Sequence, residues 1–232
     1  MKIHALVDQD IKKDDYLEVE RQFIDIYDET AGITPIFSHE TKNFETYPKV
    51  AEAEGDEHIT DAYLKSTAKE VYDRLGDSID TLVIWIHRDN WNLEGIWGTA
   101  YANIYSGYNV LVCRFDNKNL ANALGTLYHE SMHPHDSFIQ RYLSVNINSL
   151  GRWGSWDKHV VHGGRPDQVG KYKWGYIRHM ENQDALAYIA VYLRQAYAKR
   201  HTIASKRSLV NVLTKLVFAY KALINRKSTV VK

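Results

Sequence analysis

The sequence predicts an α+β fold: a mixed, mostly parallel sheet with one antiparallel edge strand, a long helix after it, and a smaller helical C-terminal lobe. Three observations carry this. Strand-like and helix-like segments alternate from the N-terminus to His87, two strand-like runs after Gly98 flank a short turn, and helical spacing returns at the C-terminus. Alternation of this kind implies parallel pairing through right-handed crossovers, whereas the short turn implies an antiparallel hairpin.

Lys2 to Val7 reads as the first strand. Tyr16 to Tyr27 places Leu17, Val19, Phe23, Ile24 and Tyr27 close to helical spacing, and a short strand follows around Thr34 to Ser38. From Asp61 to Leu75 an apolar face recurs, and Gly76 stands where a helix C-terminus favours glycine. Thr81 to His87 is nearly all apolar, as expected of a strand buried on both faces. Thr99 to Tyr105 and Val110 to Phe115 then read as the hairpin, turning at Ser106 to Asn109.

Asp116 is expected to cap a helix running through Leu120, Leu124 and Leu127 to His133, with Pro134 ending or kinking it. Gly151 to Gly175 shows no sustained period, and two helical segments follow, Ile177 to Ala198 and Ser208 to Ile224. At 232 residues one domain is expected, with residues 1–135 forming the α/β lobe and 136–232 the helical lobe.

Lys plus Arg and Asp plus Glu both total 29, so no charge excess points to a nucleic-acid partner. No run approaches the ~20 apolar residues of a membrane span, so no membrane partner is expected either. The N-terminus lacks the apolar centre of a signal peptide, which makes a cytoplasmic location the default, although Cys113 as the single cysteine does not fix the compartment. The oligomeric state is not legible. The 16 Tyr and 6 Trp concentrate partly at Trp85 to Tyr108 and Trp153 to Tyr176, where some could line a cleft rather than a core.

The chemistry centres on Tyr128-His129-Glu130-Ser131-Met132-His133. Residues four apart share a helical face, so His129 and His133 can reach one ion, and neutral imidazole is a natural zinc ligand. Glu130 lies beside that face, where a carboxylate can take a proton from a water molecule whose acidity the ion increases. The pattern arises by chance in a chain of this length on the order of once in a hundred, which favours one Zn2+ over a coincidence of surface residues.

A third protein ligand is needed. Glu181 and Asp184, three apart on a predicted helix, are the leading candidates, one to bind zinc and the other to orient a histidine. An acidic first turn suited to the helix dipole is the bland reading of the same pair. Asp136 is read as a carboxylate holding an imidazole, because Pro134 should turn the chain away from the ligand face. His135, His159 and His162 are minor ligand candidates.

These residues resemble the gluzincin branch of the zincin metalloproteases, and most specifically the catalytic domain shared by anthrax lethal factor and the Pro-Pro endopeptidases. Asp136 matches an aspartate three residues beyond the motif, and Glu181 or Asp184 followed by Ala185 to Ala190 resembles the helix that supplies the third ligand. The likeness spans about Thr81 to Ala198. It implies a zincin-like fold and a zinc-dependent endopeptidase, with Tyr176, or less directly Tyr172, stabilising the oxyanion. It also implies that the hairpin pairs with an extended peptide or protein substrate, with Trp97, Tyr101 and Tyr105 as pocket candidates. Pro134 departs from the family, whose helix continues at that point. A zinc hydrolase acting on a non-peptide substrate, or a non-catalytic zinc-binding interaction protein, are the alternatives the motif leaves open.

Overall fold

The computed structural model describes residues 1–44, 61–91, 98–105, 108–145 and 174–228, some of them in helices and strands by their backbone alone. In chain order the elements are β1 (Lys2–Asp8), α1 (Lys13–Ala31), β2 (Ile36–Lys42), α2 (Asp61–Leu75), a short 3-10 turn (Gly76–Ser78), β3 (Thr81–His87), β4 (Gly98–Tyr105), β5 (Tyr108–Phe115), α3 (Leu120–Met132), α4 (His135–Leu143) and α5 (Trp174–Ser228).

The strands form one sheet in the order β2-β1-β3-β5-β4. β2, β1, β3 and β5 are parallel, while β4 runs antiparallel to β5 at the edge. The chain moves one way along the sheet from β1 to β2 and the other way from β2 to β3. Right-handed crossovers moving in opposite directions place their helices on opposite faces, which is why α1 and α2 cover different sides.

Side-chain alternation along the strands separates two cores. On one face Ile3, Ala5, Val7, Val83, Trp85, Leu111, Cys113 and Phe115 pack with α1, α3, α4 and the first part of α5. On the other, Leu6, Leu82, Ile84, Ile86, Val110 and Val112 pack with Ala68, Val71 and Tyr72 of α2. β1, β3 and β5 are thus buried on both faces, as their near-continuous apolar sequences require.

Three sequence expectations need correction. β2 spans Ile36–Lys42 rather than Thr34 to Ser38. Its pattern is polar and half-exposed because it is an edge strand, so its apolar start drew the reading too early. The two C-terminal helical segments are one helix, α5: the polar stretch His201 to Ser208 contains no Gly or Pro to end it.

The N-cap of α3 is Asn119, whose side chain accepts from the Asn122 backbone N–H at 3.2 Å, and not Asp116. Asp116 instead accepts from the Lys118 backbone N–H at 2.9 Å and from Arg88 at 3.0 Å. This engagement holds its carboxyl below the usual carboxylate range despite the opposing cost of burial.

The first part of α5 is fixed to the body by a buried ion pair. Arg200 Nε lies 2.8 Å from Asp80 Oδ1, immediately before β3, and Arg200 also donates to the Ile79 carbonyl. Asp80 in turn accepts from the Lys2 backbone N–H at 2.7 Å, so one carboxylate joins the starts of β1 and β3 to the C-terminal helix.

Candidate metal centre

α3 is buried almost all round from Thr126 to Met132 because it lies between the sheet and the other helices. Leu127, Tyr128 and Met132 fix it in the core. Tyr128 meets Phe23 and Tyr27 of α1 in edge-on contacts, with ring centroids at 6.3 and 5.8 Å. A helix locked in this way holds the rotation of its last turn, where His129, Glu130 and His133 stand.

Those three side chains come together. One ligand atom from each lies within 4.8 Å of the others, and the imidazole rings of His129 and His133 are 5.2 Å apart and nearly perpendicular. Glu130 Oε2 is 3.7 Å from His133 Nε2. His129 and Glu130 are buried and His133 is half-buried, so the cluster sits at the protein surface with one imidazole partly open to solvent. Two imidazoles and a carboxylate at this spacing form a group that could hold a metal ion.

β4 passes directly against the carboxylate. A Cβ built on Gly98 would lie 2.8 Å from both Cγ and Oε1 of Glu130 and 2.6 Å from the Thr126 methyl. Only glycine lets the edge strand run this close to the motif helix. Cys113 is the cross-strand partner of Gly98 on β5, and burial raises its thiol well above the usual range, with the nearby Glu130 charge adding to the effect. Glu130 therefore lies over the β4–β5 pair, against the backbone at Gly98.

The helix is interrupted for two residues, His133 and Pro134. His133 keeps helical angles (φ −56°, ψ −47°), although a residue before proline disfavours them, and α4 begins at His135. The backbone at His133 is thus helical, contrary to the expected non-helical geometry there. Asp136 lies in the first turn of α4, with its side chain outside the described residues.

His135 is not placed with the cluster. It is buried, and its Nε2 is 2.9 Å from the Tyr27 hydroxyl, which also lies 2.7 Å from Ser131 Oγ. Ser131 donates to the Tyr128 carbonyl at 2.7 Å. Burial pushes the His135 imidazole down to about 3 and raises the Tyr27 phenol. This polar network supports the motif helix from behind, and it ties α1, α3 and α4 together.

Glu181, Asp184 and Tyr176 lie in the first turns of α5, and their side chains fall outside the described residues. The helix that carries them enters the core immediately afterwards: Leu186, Ile189 and Leu193 are buried in the same cluster as Leu127 and Met132 of α3. Tyr172, His159, His162 and Trp97 lie outside the described residues, as do the side chains of Tyr101 and Tyr105.

Gly98 and Tyr27 were missed as contributors to the site from sequence. A glycine opening a strand is a general sign of close backbone approach, so Gly98 carried a weak signal. Tyr27 carried none, since it reads as one more apolar position on α1. Comparison of the chain with protein-family models, with curated proteins and with solved structures finds no match.

Proposed function

We propose that the chain is a zinc-dependent endopeptidase with a zincin-like fold, in which His129 and His133 are metal ligands and Glu130 is the general base. The observation that carries the reading is the juxtaposition of His129, Glu130 and His133 on one helical turn, with the backbone of an antiparallel edge strand against Glu130. A water-activating base beside a strand edge suits a substrate that is itself an extended chain.

Glu181 or Asp184 completes the ligand set for a single ion. The burial of Leu186 beside α3 supports this, because it brings the first turns of α5 toward the motif helix. When bound, zinc supplies the Lewis acidity that polarises the scissile carbonyl and makes a water molecule more acidic. Glu130 accepts the proton of the attacking water and returns it to the leaving amine. The close approach of Gly98 limits the orientations of the carboxylate, so little reorganisation is needed at the moment of transfer. Tyr176 is assigned to the developing oxyanion, a role in which one donor is worth about 3 kcal/mol. The substrate pairs with β4, main chain to main chain.

Cleavage of a mixed peptide library by wild type and by Glu130→Gln tests the proposal. Wild type should cut, and the variant should lose about 100-fold or more, since general-base catalysis contributes on that order. Equal cleavage by both proteins, or none by wild type loaded with zinc, would overturn it.

A further inference from the structure

We infer that the projecting part of α5 is a peripheral docking helix for anionic lipid bilayers. α5 has 55 residues, about 80 Å of helix at 1.5 Å per residue. Among the described residues its contribution to the core ends at Tyr197, and Arg200 is the last that is buried. From Ser205 to Val217 every residue whose side chain is described is exposed.

Six of these are large and apolar: Leu209, Val210, Val212, Leu213, Leu216 and Val217, each 51–61 % exposed. At 100° per residue they form one stripe about 160° wide. Arg207 and Lys215 fall about 60° outside its two borders, where long basic side chains can lay their stems along an apolar surface and hold their charges above it.

Charge selects the occupant. From Ala185 to Lys232 the sequence has ten Lys and Arg and no Asp or Glu, although the chain as a whole has 29 of each sign. A second copy of the helix would bring like charges together, and a 160° stripe is wider than a two-helix seam requires. For a head-to-tail contact, the body of another copy offers no apolar receiving face among the described residues. Among the described residues the other exposed large apolar side chains are only Leu17, Ile36 and Val191, on three different elements. A wide apolar face bordered by basic residues, with no acid, fits a helix lying in the interface of an anionic membrane. Such a helix need not span the bilayer, and no helix among the described residues is long and apolar enough to do so. The expectation of no membrane partner rested on the lack of a span, which an interfacial helix does not need.

Vesicle flotation of the full chain tests the inference, using phosphatidylcholine alone and phosphatidylcholine with about 30 % phosphatidylserine. The protein should float with the anionic vesicles only and release in about 0.5 M salt, where charges are screened within a few ångströms. Leu213→Ser with Leu216→Ser, and separately Arg207→Glu with Lys215→Glu, should each weaken binding about tenfold or more. All four positions are exposed beyond the core, so the thermal midpoint by circular dichroism should be unchanged. Absence of flotation by wild type, or flotation indifferent to both pairs, would overturn the inference. So would a concentration-dependent dimer that the leucine pair abolishes in a protein that ignores vesicles, since a second copy would then occupy the face.

Discussion

Gly98 and Glu130, 32 positions apart in sequence, meet so closely that a single methyl on the glycine would lie 2.8 Å from the glutamate Cγ and Oε1. The edge strand therefore sets the position of the carboxylate. Gly98→Ala should displace β4 or swing Glu130, at an overpacking cost of about 1–3 kcal/mol. Peptide cleavage should fall about 100-fold, as for a misplaced catalytic group, while zinc content stays at the wild-type level. Unchanged turnover by the alanine variant would show that the strand does not position Glu130.

Tyr27 supports the motif helix through Ser131 and His135. Tyr27→Phe removes the hydroxyl that meets both Ser131 and His135 in a buried site, which should cost about 1–3 kcal/mol in urea unfolding. His135→Gln should likewise lower stability and leave zinc stoichiometry intact. Loss of zinc from His135→Gln would instead place that imidazole among the ligands.

Acid sensitivity should trace in part to His4. Its imidazole is buried, with Nδ1 2.9 Å from Ser38 Oγ, and burial lowers its proton affinity against the opposing attraction of Glu40. The unfolded chain, with an ordinary histidine near 6.5, binds the proton first as pH falls. Stability should therefore decline below about pH 6.5 with a slope from this residue of up to ~1.4 kcal/mol per pH unit. In urea titrations at several pH values, His4→Gln should reduce that slope below neutrality; identical slopes would remove His4 from the account.

The Arg200–Asp80 pair should be expensive to break from one side. Arg200→Met leaves a buried carboxylate without its 2.8 Å partner, and a loss of about 3–5 kcal/mol is expected. The double variant Arg200→Met with Asp80→Asn should recover part of that loss. A single variant as stable as wild type would mean that α5 is not fastened through this pair.

The parts legible in the sequence are those fixed by short-range spacing. The apolar run Thr81 to His87 could only be a doubly buried strand, and the α2 pattern ended at Gly76, which takes a positive φ of 54°. The His129–His133 pair was readable because a helix brings residues four apart onto one face. Features decided by distant partners were not readable. Asp116 looked like a cap until Arg88, from the end of β3, engaged it. The break expected at Pro134 is confined to His133 and Pro134, both with right-handed helical angles, and α5 packs against the helices on either side of it. The continuity of α5 was hidden by a polar stretch that no core contact explains, since its exposed side chains lie beyond the body.

Elemental analysis of the purified full chain beside His133→Ala reads the proposed zinc site itself, with the ion held by His129 and His133. About one zinc per chain is expected in wild type, as for a single zincin-type site, and essentially none after loss of one of the two imidazoles. A wild type without zinc after equilibration with the metal, or a His133→Ala variant that keeps it, would rule out the proposed site.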